Sequence, residues 1–388
     1  MEICKNAACT GCGVCADACP QKCISIQYDE NGFYRSYVDD RLCVNCHYCI
    51  KVCPANHPNK QNPIQKAFKA RRTDKMAASQ STSGGIAAAL SEYVIRNGGF
   101  VAGCGFDDTF CLKHSLASNS DEIENFKGSK YLQSYTVGIY REVRARLQEG
   151  SQVLFVGSPC QVSALHNYLG KAYDNLYTVD FVCHGVPSQF VFNKYLESID
   201  SDSAPRSIRF RNKTQGYRNI NACSETQIDY SDKTIRNTTE TGVYRWFASS
   251  LSIRESCYKC PFVSSNRASD LTLADYIGED LSDTDDENGV NMVFLNSQKG
   301  AALLEGIKQD IVLESRDVGA AVKLYDRLMV GSRMPACRSA FFKELPNSDY
   351  QSMVDKYTLS KILPSKMARR YYAIKRRIQK FLSDKIRG

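Results

Sequence analysis

The chain has 388 residues, 43% of them hydrophobic and 24% charged, a balance that excludes a disordered polymer and provides for two or three domains. Its formal net charge is +8, yet ten Lys/Arg and one Asp fall within residues 361–388. The remainder is close to neutral and lacks the basic stripe of a nucleic-acid-binding body, so no nucleic-acid partner is expected. No apolar run approaches the ~20 residues of a membrane-spanning helix, and residues 1–6 lack the layout of a secretory signal. A cytoplasmic protein is therefore expected, where clustered cysteines read as metal ligands and scattered ones as buried thiols. There are 18 cysteines.

The first elements are a repeat. Cys9, Cys12, Cys15 and Cys19 precede Pro20, and Cys43, Cys46, Cys49 and Cys53 precede Pro54, each run reading C-x2-C-x2-C-x3-C-P. This is ferredoxin spacing, in which three close thiolates wrap one 4Fe-4S cubane and the fourth reaches the other. Cys9, Cys12, Cys15 and Cys53 are assigned to one cluster; Cys43, Cys46, Cys49 and Cys19 are assigned to its partner. Paired zinc sites would use two plus two ligands and leave the repeated Cys-Pro without a purpose. Between the runs, residues 24–28 and 33–38 alternate as strands around the turn Glu30-Asn31-Gly32. Cys23 is expected to pack beside a cluster, and Cys4 to be inert.

Residues 54 to about 70, rich in Pro and Asn, read as a linker. Helices are then expected at 86–96, 140–147, 161–169 and 190–199, and strands at 100–105, 152–156 and 177–182. Such alternation predicts an α/β body with a mostly parallel sheet. After Ser207 the pattern turns β-rich and irregular, through 208–210 and 220–230. The overall fold class is α/β (α+β overall), with a two-cluster ferredoxin module first and a basic helix last.

Cys160 and Cys183 each follow a predicted parallel strand, at the carboxyl ends where open α/β sheets hold ligands. Helix N-termini there favour thiolate. Far downstream, Cys257-Tyr258-Lys259-Cys260 adds a C-x2-C pair. On spacing alone these four fit a third cubane, a zinc knuckle or unrelated core thiols. Cys104, Cys111, Cys223 and Cys337 carry no motif and read as buried thiols. The loop Ser81-Thr82-Ser83-Gly84-Gly85 opens a helix without the Gly-Lys-Ser/Thr of a Walker loop. Residues 279–288 read as a solvated acidic loop.

Ser83-Gly84-Gly85-Ile86, Gly128-Ser129-Lys130-Tyr131, Gly157-Ser158-Pro159-Cys160-Gln161, Cys183-His184-Gly185-Val186-Pro187 and Cys257-x2-Cys260-Pro261 occur in this order. With Arg267-Ala268-Ser269-Asp270 and Asp275, they resemble the coenzyme F420 hydrogenase/dehydrogenase beta-subunit family over about residues 75–280. The resemblance implies FAD in the body beside a third 4Fe-4S cluster held by Cys160, Cys183, Cys257 and Cys260. It places the flavin at Ser83, Gly84, Gly85, Ser129, Lys130, Tyr131 and Asp275. Leu273-Ala274-Asp275-Tyr276-Ile277-Gly278 departs from the family's Gly-Asp-Phe-Trp-Gly, which puts ring contacts of the flavin in question. The expected domains are 1–60 (ferredoxin type), 61–150 (beta-subunit N-terminal), 151–345 (cluster- and FAD-binding) and 346–388 (basic tail).

These readings join into one expectation. An iron–sulfur flavoprotein oxidoreductase, similar to F420H2 dehydrogenase, passes electrons between a small hydride donor or acceptor at FAD and a one-electron carrier. That carrier would be ferredoxin or another oxidoreductase subunit. Lys130 would steady the reduced flavin, and His184 would move a proton or make a structural hydrogen bond. Family relatives in methane-forming archaea use coenzyme F420, whereas others accompany bacterial polysaccharide-biosynthesis enzymes, and a nicotinamide donor is equally compatible. A flavin-free electron-transfer adaptor is the second reading, and a zinc-stabilised nucleic-acid-binding protein a remote third. Met367, Tyr371, Ile374, Ile378, Phe381 and Leu382 recur at helical spacing among Arg and Lys. This amphipathic pattern suits either peripheral contact with an anionic membrane or docking on the body.

Overall fold

The computed structural model describes residues 1–59, 61–199, 204–211, 213, 217, 226–237, 243–278, 280–283, 285 and 289–363. Cys223, residues 220–225 of the expected β segment and the amphipathic tail from 364 onward lie outside the described residues.

The body is built on one eight-stranded sheet. Across it the order is Ile311–Arg316, Lys66–Arg72, Asn291–Leu295, Leu271–Asp275, Leu176–Phe181, Val153–Val156, Phe100–Phe106 and Leu112–Ala117. The four strands Leu271–Asp275, Leu176–Phe181, Val153–Val156 and Phe100–Phe106 are hydrogen-bonded in parallel. Lys66–Arg72 runs in the same direction between two antiparallel neighbours. Five strands thus point one way, and the α/β class with a mostly parallel sheet is borne out. Their carboxyl ends share one edge, where ligands of open α/β sheets collect.

Both faces of the sheet are covered, which is why its central strands are buried along most of their length. On one face the helix Ile86–Arg96 lays Ile86, Leu90 and Val94 against Leu154, Val179 and Val293. That helix stops at Asn97, followed by Gly98 at a φ of 74°, the left-handed conformation glycine adopts without steric cost. On the other face, helices Ile139–Gln148 and Pro159–Leu169 pack Val143, Val162 and Leu165 onto Val153 and Phe155. Val14, Ala18 and Val52 of the opening module belong to this same core. A smaller sheet of Ser207–Arg209, Thr226–Asp229 and Thr234–Asn237 borders a third core around Trp246, Phe341 and Phe342, which Phe33 of the module joins. Among the described residues no helix is long and apolar enough to cross a membrane.

Three expectations change. The supposed linker ends early, because Lys66–Arg72 is an inner strand of the sheet. Its cations hid this: Lys69 and Arg71 pair with Asp285 at 2.8 and 3.1 Å, and Arg72 with Glu92 at 2.8 Å. The acidic loop is correspondingly not all solvated, since Asp285 is buried under those pairs, which help hold its carboxyl down at about 2 against burial. Cys111 is exposed, while Cys104 and Cys337 are half-buried.

Candidate iron–sulfur and redox site

The module folds by repeating one local device. Gly11 and Asn45 occupy the same place in the two cysteine runs, with φ of 66° and 54°; Gly13 and His47 do likewise, at 71° and 58°. These left-handed residues curl each loop so that successive amides face inward, the concave arrangement that receives anionic clusters. Short helices Val14–Ala18 and Tyr48–Val52 follow, and the hairpin pairs Ile24–Tyr28 with Tyr34–Val38.

Two sets of thiols result, differing in surroundings. Cys12, Cys15 and Cys53 are buried, with Cys9 half-buried beside them. Burial raises Cys12 and Cys15, and each senses the charge of Cys53. A bond from Cys4 lowers Cys9 and Cys53, with Arg254 and Arg35 adding to the effect on Cys9. Cys4 therefore stands among the inner thiols. The other set, Cys19, Cys43, Cys46 and Cys49, lines a pocket at the outer end. Cys46 is exposed, and Leu42 and Val44 nearby in sequence are 56% and 61% exposed. Cys23 lines the same pocket, its sulfur 3.4 Å from that of Cys19.

The body contributes a third set. Cys160, Cys183, Cys257 and Cys260 line one cavity. Cys160 lies in the first turn of Pro159–Leu169 rather than ahead of it. Ser158 and Gln161 form a capping box there, and Ser158 Oγ is 3.1 Å from Cys160 Sγ. Cys183 follows the strand Leu176–Phe181, five residues before Ser188 caps the next helix. Cys257 lies in the 3-10 turn Glu255–Lys259, and Cys260 caps its end. Burial raises all four thiols, Cys257 to about 11 and Cys260 to about 12; Cys183, Cys257 and Cys260 are pushed further by others of the set, whereas Ser158 and Arg254 pull Cys160 back down. Among the described residues no three His, Cys, Asp or Glu side chains converge on the position of a single metal ion. Four half-buried thiols around one shared cavity suit the cationic core of a cubane.

A polar ladder supports Cys160 from below. His114 is buried, with Nε2 3.0 Å from Val156 O and Nδ1 2.7 Å from Ser134 Oγ. Since a carbonyl only accepts, Nε2 carries the proton, and Nδ1 accepts from Ser134. Gln161 Nε2 donates to Ser134 Oγ at 2.9 Å, and Gln161 Oε1 accepts from Ser158 N at 2.9 Å. Burial, with a smaller push from Lys130, lowers His114 to about 4.

His184 also lines the thiol cavity. Its Nε2 is 3.0 Å from Phe247 O and 3.1 Å from Ser250 Oγ. Lys130 Nζ donates to the carbonyls of Asn125 and Lys127 at 2.8 and 2.9 Å, and burial lowers its pKa. The other residues assigned to flavin meet along the carboxyl edge of the sheet. Ser83 Oγ donates to Asp275, and Asp275 pairs with Arg211 at 2.7 Å. Ser129 N donates to Thr82 Oγ1 at 2.7 Å. Lys213 Nζ donates to Ser83 O at 2.8 Å. Gly84 is needed for packing, because a Cβ there would meet Ala70 O at 2.5 Å; Gly85 caps the following helix at a φ of 76°. Tyr131 turns away into rings of Phe210, Tyr244 and Phe247.

Residues 150–320 match the family model for the C terminus of the coenzyme F420 hydrogenase/dehydrogenase beta subunit, and residues 8–57 match that of a 4Fe-4S dicluster domain. Over the first of these segments the chain is similar to that beta-subunit family, and over the second to two-cluster ferredoxins. Its module is 46% identical over 48 residues to an uncharacterized ferredoxin of Methanocaldococcus jannaschii, covering 12% of this chain and 61% of that one. It is 33% identical over 56 residues to an NADH-quinone oxidoreductase subunit I of Geobacter metallireducens, covering 13% and 43%. The chain thus spans less than two thirds of either relative. A structure of the F420-reducing [NiFe] hydrogenase complex from Methanosarcina barkeri aligns with a TM-score of 0.48 and 18% identity, over 69% of this chain and 90% of that one. The matched segments are thus those of an iron–sulfur dicluster module and of the C-terminal part of an oxidoreductase beta subunit.

The motifs did not point to the residues that join module and body. Asp17 accepts from Gly138 N at 2.6 Å and Tyr140 N at 3.2 Å, capping the helix Ile139–Gln148. Thr136 Oγ1 and Tyr140 Oη both donate to Cys12 O at 2.7 Å. Gln133 Nε2 donates to Thr10 O at 2.9 Å, and Arg254 Nη1 to Tyr34 O at 2.9 Å. The glycines were the available signal: a Cβ on Gly13 would meet Thr136 Oγ1 at 2.7 Å, and one on Gly32 would meet Phe190 N at 2.6 Å.

Proposed function

We propose that the protein is an iron–sulfur flavoprotein oxidoreductase with three 4Fe-4S clusters and FAD. Electrons pass between a small hydride donor or acceptor and an external one-electron protein, through the body cluster and then the module. The observation that carries this reading is the cavity into which Cys160, Cys183, Cys257 and Cys260 converge. Thr10, beside Cys9, lines the same cavity, so the body set and the inner module set are neighbours. Cys12 accordingly feels the charge of Cys160. The exposed outer set then faces the partner.

The chemistry of the donors also suits a pyrophosphate-bearing cofactor. Arg211 and Lys213 bring two cations to the loop that opens the helix Ile86–Arg96, and Arg211 neutralises Asp275. FAD bound there would supply the exchange between hydride and single electrons. Ser83, Gly84, Gly85, Ser129, Lys130, Tyr131 and Asp275 are the residues we assign to holding it. Lys130, a cation in a largely dry setting, would favour negative charge on the ring. His184, with a ring nitrogen on a carbonyl, orients the chain around Cys183.

Anaerobic analysis of iron, sulfide and extractable flavin tests the proposal. About twelve irons with FAD are expected, at four per cubane. About eight irons would remove the body cluster, and no flavin from well-folded protein would leave an electron-transfer adaptor. Reduction by coenzyme F420, a nicotinamide or ferredoxin, followed spectroscopically, would identify the donor.

A further inference from the structure

Arg254 is a wholly buried cation for which no carboxylate is in ion-pair range among the described residues. It is 0% exposed. One Nη donates to Tyr34 O at 2.9 Å, the other donates to Gln133 Oε1, and the guanidinium lies 5.1 Å from the ring centre of Phe33. Its Nε has no partner among the described residues. Asp29, an acidic residue whose charge it senses, is held by Arg35 at 2.9 Å. A buried charge without a counter-ion is strongly disfavoured, so the anion that balances it must come from something else in the site. Two sets of thiols face it. Arg254 lines the cavity of Cys160, Cys183, Cys257 and Cys260, and its Nη1 lies 3.5 Å from Cys9 O in the inner module set. The fit is tight on the module side, where a Cβ on Gly11 would meet Nη2 at 2.7 Å.

We infer that Arg254 is the shared counter-charge of the body cluster and the inner module cluster, raising both reduction potentials and keeping them matched for electron passage. The inference deepens the proposed function and rests on its reading of Cys160, Cys183, Cys257 and Cys260 as cluster ligands. The step it serves moves one electron: one site is oxidised by one, the other is reduced by one, and no bond or proton is exchanged. Arg254 stays charged throughout and is a positioning residue in the electrostatic sense.

The test is a potentiometric titration followed by electron paramagnetic resonance on the full chain, purified anaerobically with its irons counted. Arg254→Gln with about twelve irons should make both neighbouring clusters harder to reduce, by at least a tenfold change in the one-electron equilibrium, about 59 mV. The outer cluster of Cys19, Cys43, Cys46 and Cys49 should move much less, and Arg254→Lys should restore most of the loss. Should Arg254→Gln fail to keep its irons, Gln133→Glu decides, since it keeps the guanidinium and sets a carboxylate on it; the same two clusters should shift the same way. Unmoved potentials, an equal shift of all three clusters, or no rescue by Lys would overturn the role of Arg254 alone. About eight irons in the unaltered protein would instead remove the body cluster, and this inference with it.

Discussion

The His114 ladder makes the support of Cys160 sensitive to acid. Folding buries the ring and lowers its pKa from 6.5 to about 4, so between these values the unfolded chain binds a proton that the folded one refuses. Stability from this group is complete at neutral pH, falls as pH drops through about 6.5, and levels off below about 4. The whole shift is worth about 3.4 kcal/mol at 1.36 kcal/mol per unit. Integrated from about pH 7.5 to about pH 5, the loss is about 2 kcal/mol. The structural cause is specific: a second ring proton at Nδ1 would confront the hydroxyl of Ser134, which already receives Gln161.

Cluster decay at low pH also destabilises such a protein, so a difference measurement is required. His114→Gln removes the titration and, by disturbing the ladder, should cost about 1–3 kcal/mol near neutrality. Urea unfolding of both proteins, anaerobically and under matched conditions, gives the gap between them at each pH. The gap should shrink by about 2 kcal/mol between about pH 7.5 and about pH 5. A gap that stays constant across that range would refute the reasoning, whatever the absolute stabilities.

Other substitutions test the remaining contacts. Cys160→Ala should lower iron from about twelve to about eight per chain while leaving the spectrum of the module in place. Asp180→Asn leaves the buried Arg267 without the carboxylate now 2.7 Å away, and should cost about 3–5 kcal/mol in unfolding measurements. Asp17→Ala removes the cap on Ile139–Gln148 and should cost about 0.5–2 kcal/mol; an unchanged unfolding midpoint would show that the module does not hold that helix.

Regular spacing and apolar runs were what the sequence displayed openly. The doubled cysteine motif identified the module, and strands such as Val153–Val156, buried along their length, announced a covered sheet. Lys66–Arg72 escaped because its alternation is written in charges that find buried partners far along the chain, Asp285 for Lys69 and Arg71. Propensity reads such cations as exposed; only tertiary pairing reverses that. The body thiols show the same limit. Cys160 and Cys183 stood at strand ends, but nothing local tied them to Cys257 and Cys260, since that convergence is made by the sheet order and the return of the chain after Trp246. Arg254 was less legible still, being a single cation in a serine-rich stretch beside Glu255.

The joint between module and body has a physical rationale. An electron carrier on a flexible tether would sample many separations between its clusters, whereas transfer between fixed centres needs one geometry held by packed elements. Here Val14, Ala18 and Val52 lie within the core of the sheet's second face, and Phe33 joins the core of Trp246. Polar contacts then set the register: Cys12 O accepts from Thr136 and Tyr140, and Ser188 Oγ donates to Asn31 O at 2.5 Å. The inner thiols are pressed against the body by the same contacts that leave Cys46 exposed at the far end. A detachable ferredoxin would bury its hairpin tip and its first cysteine loop within itself. In this chain both are finished by residues more than a hundred positions away, which makes the module part of the body's core and fixes its orientation, with one cluster set facing inward and the other outward.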